Sequence, residues 1–184
     1  MESWTLLPTE SGTGVPAQPA RVARPPARRL GRGVRTDAKM AALLALPPLR
    51  GASDREVALM AHAGEQVDLA PETSIVEAGE RVEWIHLPME GSAFSVTGTW
   101  RFGPGDCIGA AEYLAGEPGL MTVMAGSDVR MLTFGANQFT ALLDTAPCFR
   151  RAVVASLVRQ LSQSLKHHDA RHSGCDGRSV PRAS

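Results

Sequence analysis

The sequence lacks the features that mark three common classes of protein. Its longest apolar run, residues 40–46, ends at Pro47-Pro48, far short of the roughly 20 residues that cross a bilayer. Three cysteines without a Cys-x-x-Cys pair do not form a disulfide framework. The amino terminus also lacks the basic-then-apolar order of a secretory signal. These absences predict a soluble cytoplasmic protein with reduced thiols.

Motifs for catalysis are absent as well. There is no Gly-x-Ser-x-Gly, no phosphate-binding P-loop, and no Cys/His or Ser/His/Asp set at a believable spacing. One cluster carries metal-type ligands, namely His167, His168, His172 and Cys175. His168 and His172 are four apart and Cys175 follows three later, a spacing that suits Zn²⁺ or Ni²⁺ on one helix face, but that face lacks a fourth ligand because His167 lies beside it. We therefore predict that the protein is no enzyme and holds no metal.

The net charge of zero hides a segregation of charge along the chain. Residues 1–40 carry seven Lys/Arg against three Asp/Glu (+4), residues 41–169 nine against fifteen (−6), and residues 170–184 three against one (+2). The Pro/Ala/Arg-rich head is predicted to be disordered, residues 41–169 to form one domain, and the tail to be flexible. The basic head could contact nucleic acid or an anionic membrane by charge alone. An acidic domain argues against nucleic-acid binding through its folded part.

Turn residues divide the middle of the sequence into short apolar segments. Such close spacing predicts an antiparallel sandwich or barrel rather than βαβ units. Pro88 cannot donate a ladder hydrogen bond, so its strand should end there or lie at a sheet edge. The predicted strands are Gln66–Leu69, Ser74–Glu77, Trp84–Leu87, Ser92–Thr97, Cys107–Gly109, Thr122–Ala125 and Val129–Phe134.

Helices are predicted on both sides of these strands. Ser53 and Glu56 form a capping box before a short helix, and Pro147 suits the first turn of a longer one. That longer helix carries apolar residues at 4-3-4 spacing, a two-heptad seam that could pair with a second chain or pack on its own barrel. We favour a homodimer. The seam residues are Val154, Val158, Leu161 and Leu165.

The order of these elements over about residues 43–167 resembles the cyclic nucleotide-binding domain of the CAP/FNR type. The resemblance implies an α+β fold: an antiparallel jelly-roll barrel of seven to eight strands, one N-terminal helix and two C-terminal helices. The landmarks that carry it are Leu49-Arg-Gly-Ala-Ser-Asp54, Val76-Glu-Ala-Gly-Glu80, Glu90-Gly91, Phe102-Gly-Pro-Gly-Asp106 and Ile108-Gly109.

In that family a cassette holds the cyclic phosphate through helix amides, a Ser/Thr hydroxyl and an Arg, while a Glu accepts from the ribose. By position, Gly109 matches the cassette glycine and Thr122 falls near the hydroxyl. Ala110 stands where the Glu belongs, and Gly119, followed by Leu120, stands where the Arg belongs. The candidate ligand-binding set is Gly109, Ala110, Ala111, Glu112, Gly119, Leu120 and Thr122.

Both charged anchors of the cassette are thus missing. The resemblance therefore predicts weak or no binding of cAMP or cGMP. The expected affinity is about 10- to 1000-fold lower than that of a complete cassette. A rescue would need another cation, and Arg101 and Arg130 are the nearest in sequence. Glu112 is either a solvated helix charge or a displaced ribose ligand.

Two hypotheses follow from the resemblance. The first is a regulatory module that acts through dimerisation or a protein partner at the C-terminal helix. The alternative is a working sensor of a cyclic nucleotide or another small ligand with a non-standard pocket. Only 15 residues follow Asp169, too few for a helix-turn-helix domain, so sequence-specific DNA binding is not expected.

Overall fold

A computed structural model describes residues 36–172, with side chains through residue 167. The predicted head before residue 36, the tail from residue 173, and the side chains of His168, His172 and Cys175 lie outside the described residues. The helices are α1 (Thr36–Ala45), α2 (Asp54–Ala63), α3 (Ala110–Ala115), α4 (Ala136–Thr145) and α5 (Pro147–His172), with a 3₁₀ turn at Pro47–Leu49. The strands are β1 (Glu65–Leu69), β2 (Ser74–Val76), β3 (Trp84–Glu90), β4 (Ala93–Ser95), β5 (Arg101–Phe102), β6 (Val123–Ala125) and β7 (Val129–Gly135).

The strands form two antiparallel sheets, ordered β1-β7-β3 and β2-β6-β4-β5. The three-stranded sheet packs on both faces, because alternate residues along its central strand β7 point into two different cores. Met131 packs with apolar residues of the four-stranded sheet, while Leu132 and Phe134 pack against the helices. The predicted α+β fold with seven antiparallel strands is confirmed, although the two sheets do not close into a barrel.

Several predicted boundaries need correction. Cys107–Gly109 is no strand, because only Ile108 pairs there, in an isolated bridge with His86. β5 was missed, since two residues are too short to show an alternating pattern. β3 runs through Pro88 to Glu90 at a sheet edge, with an irregular register between those two residues. The edge position predicted for Pro88 is therefore confirmed.

Within the described residues, two helices, rather than the predicted one, precede the strands. α1 begins at Thr36 and so crosses the predicted head-to-domain boundary at residue 40. It is held by tertiary contacts: Leu43 is fully buried, and the Lys39 ammonium donates to the carbonyls of Ala61 and Gly64 at the end of α2. Such contacts leave little periodicity in the sequence, which explains why this helix was not predicted.

The capping box at the start of α2 is confirmed. The Ser53 hydroxyl accepts from the Glu56 amide, and the Glu56 carboxylate accepts from the Ser53 amide at 3.0 Å. The other carboxylate oxygen accepts from the Cys148 amide at 2.8 Å, in the first turn of α5. The hydrogen bonds from these two backbone amides lower the pKa of Glu56, and the bond from Cys148 has the larger effect. One side chain therefore fixes the starts of two helices, and the predicted start of α5 at Pro147 is confirmed.

The inner face of α5 is bonded to the turn that leads into α3. The Ser156 hydroxyl accepts from the Cys107 amide at 2.8 Å, and the Gln160 amide donates to the Cys107 carbonyl at 3.0 Å. The Arg159 guanidinium pairs with the Asp106 carboxylate at 2.7 Å. α5 is thereby fixed relative to residues 105–107.

The outer face of α5 carries the predicted seam. Its four side chains are 54–60% exposed, and none packs on the sheets. None of the described helices has the length and hydropathy that a bilayer span requires. The exposed seam residues are Val154, Val158, Leu161 and Leu165.

His86 predicts a pH dependence of stability. Burial lowers the pKa of this side chain to about 4 from the usual 6.5, and its Nδ1 lies 3.1 Å from the Thr133 hydroxyl oxygen. The unfolded chain binds a proton below pH 6.5, whereas the folded chain does so only near pH 4. The free energy of unfolding should therefore fall by up to about 3 kcal/mol as the pH drops through this window. Urea titrations across that range measure it.

The matched control is His86→Gln, which keeps a hydrogen-bonding group but does not titrate. Its stability should be lower at neutral pH and flatter between pH 6.5 and 4. Equal slopes for the two proteins would show that His86 is not the cause.

Candidate functional site

The cassette begins at a glycine that no other residue can readily replace. Gly109 caps α3 with φ of +82°, the left-handed region that favours glycine. A Cβ there would lie 3.0 Å from Val82 Cγ1 and 3.1 Å from the Trp84 carbonyl oxygen. The next residue, Ala110, is fully buried in the helix-facing core. The position that the resemblance matches to a ribose-binding Glu is therefore a packing position here.

Gly119 is held between two backbone bonds. Its amide donates to the Glu80 carbonyl at 2.8 Å, and its carbonyl accepts from the Gly79 amide at 2.7 Å. A Cβ at Gly119 would lie only 2.4 Å from the Glu77 carbonyl oxygen. The turn at residues 77–80 thus occupies the direction in which an arginine side chain would leave the backbone.

The remaining predicted residues do not converge on one point. The Thr122 hydroxyl accepts from the Ala78 amide at 3.2 Å, so it holds the same turn. Leu120 is 68% exposed, and Ala111 is half-buried. The structure brings Gly119 and Thr122 together around the turn, whereas Leu120 faces solvent.

Neither cation proposed from the sequence reaches the cassette. The Arg130 guanidinium is bound by Asp68 at 3.0 Å and by Glu90 at 3.1 Å, on the three-stranded sheet. Arg101 is exposed on β5, where the alternate residue Phe102 points into the core.

Among the described residues, Arg81 is a cation that lies beside the cassette, and the sequence reasoning missed it. It forms an isolated bridge with Pro118, its Nε lies 3.9 Å from a Glu83 carboxylate oxygen, and its side chain is 84% exposed. Its place directly after the Ala78-Gly79-Glu80 turn was the available signal.

Glu112 does not lie on the solvent-exposed surface of α3. It is only 8% exposed, so the expectation of a solvated helix charge is wrong. Its carboxylate accepts no hydrogen bond and forms no ion pair with any residue from 36 to 167. The side chain lines a cavity of about 690 Å³ between α3, the start of β3 and the start of α4. The lining residues include Arg81, Glu83, Trp84, Tyr113, Glu117 and Asn137.

The described residues thus form two layered antiparallel sheets, a glycine-capped helix between β5 and β6, and two helices after the last strand. No family model and no curated protein matches the sequence. Solved structures do match. One is the regulatory subunit of a cAMP-independent protein kinase A from Trypanosoma brucei, as a mutant bound to cAMP in its A site. It shares 25% identity over 67% of this chain and 46% of that chain, with a TM-score of 0.55.

Two further structures agree with this match. The Trypanosoma cruzi counterpart, bound to guanosine, is 24% identical over 60% of this chain and 42% of that one, with a TM-score of 0.52. The catabolite activator protein of Thermus thermophilus is 20% identical over 68% of this chain and 63% of that one, with a TM-score of 0.54. The chain therefore has the fold of a cyclic nucleotide-binding domain of the CAP/FNR type. It spans less than half the length of the trypanosome subunits.

Proposed function

We propose that the protein is a non-enzymatic regulatory module that binds cAMP and cGMP weakly or not at all and acts as a dimer through α5. The closed surroundings of Gly119 carry this proposal. A cyclic phosphate needs a cation at this position, and the turn at residues 77–80 leaves no room for one. The module would not read DNA sequence, and its predicted cytoplasmic location stays a prediction.

The energetic cost of the missing anchors supports weak binding. A hydrogen bond from Arg to a charged oxygen contributes about 1.5–3 kcal/mol. An unpaired buried charge costs about 3–5 kcal/mol. Ala110 removes the ribose acceptor as well. The first two figures are alternative measures of the loss of the same Arg and are not summed; either one corresponds to a dissociation constant raised by about 10- to 1000-fold or more.

A pattern in the Trypanosoma brucei subunit gives independent support. That protein is cAMP-independent, and its form bound to cAMP carries Glu→Ala, Thr→Arg and Val→Ala substitutions. The second lies seven residues after the first, and the third lies directly after the second. Glu112, Gly119 and Leu120 have the same spacing here. By this spacing, Glu112 has the same residue type as the first replaced position, and Gly119 and Leu120 fall at the positions of the replaced Thr and Val, so none of the three is the residue of the cAMP-bound form.

Isothermal titration calorimetry of the full chain with cAMP and cGMP tests the weak-binding part of the proposal. We expect dissociation constants above about 100 µM for both nucleotides. A constant of about 1 µM or tighter that is lost in Gly109→Val would contradict the proposal, since it would show an intact cassette.

The exposed seam supports pairing with a second copy of the chain. Its spacing places Val158 and Leu165 at a positions and Val154 and Leu161 at d positions of a heptad, and the central pair, Val at a with Leu at d, is the combination that favours two strands. The flanking e and g positions hold Ala155, Leu157, Ser162 and Ser164, so no like charges would face each other across a two-fold axis.

A second candidate function is the sensing of an uncharged nucleoside. The missing phosphate anchors penalise a cyclic phosphate but not a nucleoside, and one structural neighbour is bound to guanosine. Calorimetry with guanosine, beside cAMP, separates the two candidates: micromolar binding of guanosine alone would favour the sensor.

A further inference from the structure

The cavity beside Glu112, on the cassette helix α3, has the properties of a binding site for a group other than a cyclic phosphate. Its volume of about 690 Å³ falls in the range of small-molecule sites. Glu112 is more than nine-tenths buried, lines this cavity, and has no partner among the residues whose side chains are described. Its carboxylate therefore stands beside the cavity without a countercharge from those residues, so a donor that enters the cavity can pair with it.

The charged residues that line the cavity determine whether it favours a positively or a negatively charged group. Three carboxylates line it, from Glu83, Glu112 and Glu117, against the single guanidinium of Arg81. Arg81 is already paired with Glu83. Two carboxylates remain without a countercharge, so the cavity disfavours phosphates and favours a cation.

Aromatic side chains add a second attraction for a cation. Trp84 and Tyr113 both line the cavity and are half-buried. Tyr113 is held in place, since its hydroxyl oxygen lies 2.9 Å from the Thr140 hydroxyl oxygen and its ring packs edge-on against Phe139. The faces of such rings attract ammonium and guanidinium groups.

We propose that this cavity binds an organic cation, a guanidinium or primary ammonium group on a short aliphatic chain, with Glu112 as its main partner. Two sources can supply this chemistry: a free small molecule, or an arginine of residues 21–35 of the same chain. That segment holds six Arg and no acidic residue.

The position of α1 allows the second source to reach the cavity. Lys39, near the start of α1, bonds the Gly64 carbonyl, and the next residue, Glu65, pairs with Thr133. Thr133 is two residues from the cavity-lining Gly135. Residues 21–35 can span up to roughly 50 Å when extended, so length does not limit this contact.

Calorimetry with agmatine, which carries both a guanidinium and an ammonium group, tests the site on the full chain. N-butylurea is the uncharged control ligand. We expect agmatine but not butylurea to bind, and Glu112→Gln to weaken agmatine binding by about tenfold or more. Asp144→Asn removes an exposed carboxylate that does not line the cavity and should leave the affinity unchanged. Glu117→Gln, at an exposed position, should weaken binding by a smaller factor and covers the case in which Glu112→Gln fails to fold.

A second full-length variant distinguishes the two sources. It replaces Arg21, Arg24, Arg28, Arg29, Arg32 and Arg35 with Gln. If the arginine segment occupies the cavity, agmatine binds this variant more tightly because a competitor is gone. If the occupant is a free small cation, its agmatine affinity equals that of the native chain. The proposal is overturned if agmatine binds neither chain, or if binding is the same in the native chain and in both cavity variants.

Discussion

Gly119→Arg is expected to lower the stability of the domain and to leave cAMP binding weak, although it restores the residue type that the family uses. Its Cβ would lie 2.4 Å from the Glu77 carbonyl oxygen, so the turn at residues 77–80 must move. That movement strains the two backbone bonds of Gly119. The free energy of unfolding should fall by about 1–3 kcal/mol or more, measured by urea denaturation, with calorimetry for cAMP on the same samples.

Two alanine variants separate crowding from a general effect of removing glycine. Gly119→Ala adds only the Cβ and should show most of the loss. Gly103→Ala adds the same atom at the other end of the cassette, where nothing lies within 4 Å, and should be neutral within about 1 kcal/mol. A Gly119→Arg protein of native stability with micromolar affinity for cAMP would show that the turn yields easily, and the proposed loss of nucleotide binding would be wrong.

The double variant Val158→Asp/Leu161→Asp is expected to convert a dimer into a folded monomer. Both side chains are more than half exposed in the single chain, so the monomer should tolerate the change. In a paired seam the same substitutions would bury four carboxylates between the helices. The dimer dissociation constant should rise by at least about 100-fold, as measured by sedimentation equilibrium.

Leu114→Asp is the matched control for this variant. Leu114 is also about half exposed, but it lies on α3, away from the seam, and should leave the dimer intact. A native chain that is monomeric at about 100 µM, or a double variant that stays dimeric, would exclude the seam as the interface.

The parts of the fold that depend on local chemistry could be predicted from the sequence. The capping box of Ser53 and Glu56 acts over three residues, and Pro147 fixes its own backbone angle, so both helix starts are visible in the sequence. α1 and β5 could not be predicted. α1 depends on contacts of Leu43 and Lys39 with distant residues, and β5 comprises only Arg101 and Phe102.

For the candidate site, the sequence predicts which charged residues are missing, but it does not predict which contacts occupy their positions. The family resemblance predicts from the sequence that Ala110 and Gly119 stand where charged residues belong. It does not show that the Glu77 carbonyl faces Gly119, because that contact joins residues about 40 positions apart. The burial of Glu112 was also hidden, since the side chain lies against elements that start at Trp84 and Ala136.

The bonds from Ser156, Arg159 and Gln160 to residues 105–107 have a thermodynamic consequence. They connect the proposed pairing helix to the segment that sets the position of α3, so pairing and any ligand contact on α3 become linked equilibria. Linkage is reciprocal: a ligand that binds the paired form tenfold more tightly strengthens pairing by the same factor. Under the proposed function, a domain that lacks phosphate anchors would therefore still carry a signal, with its association state as the output and the surroundings of α3 as the input.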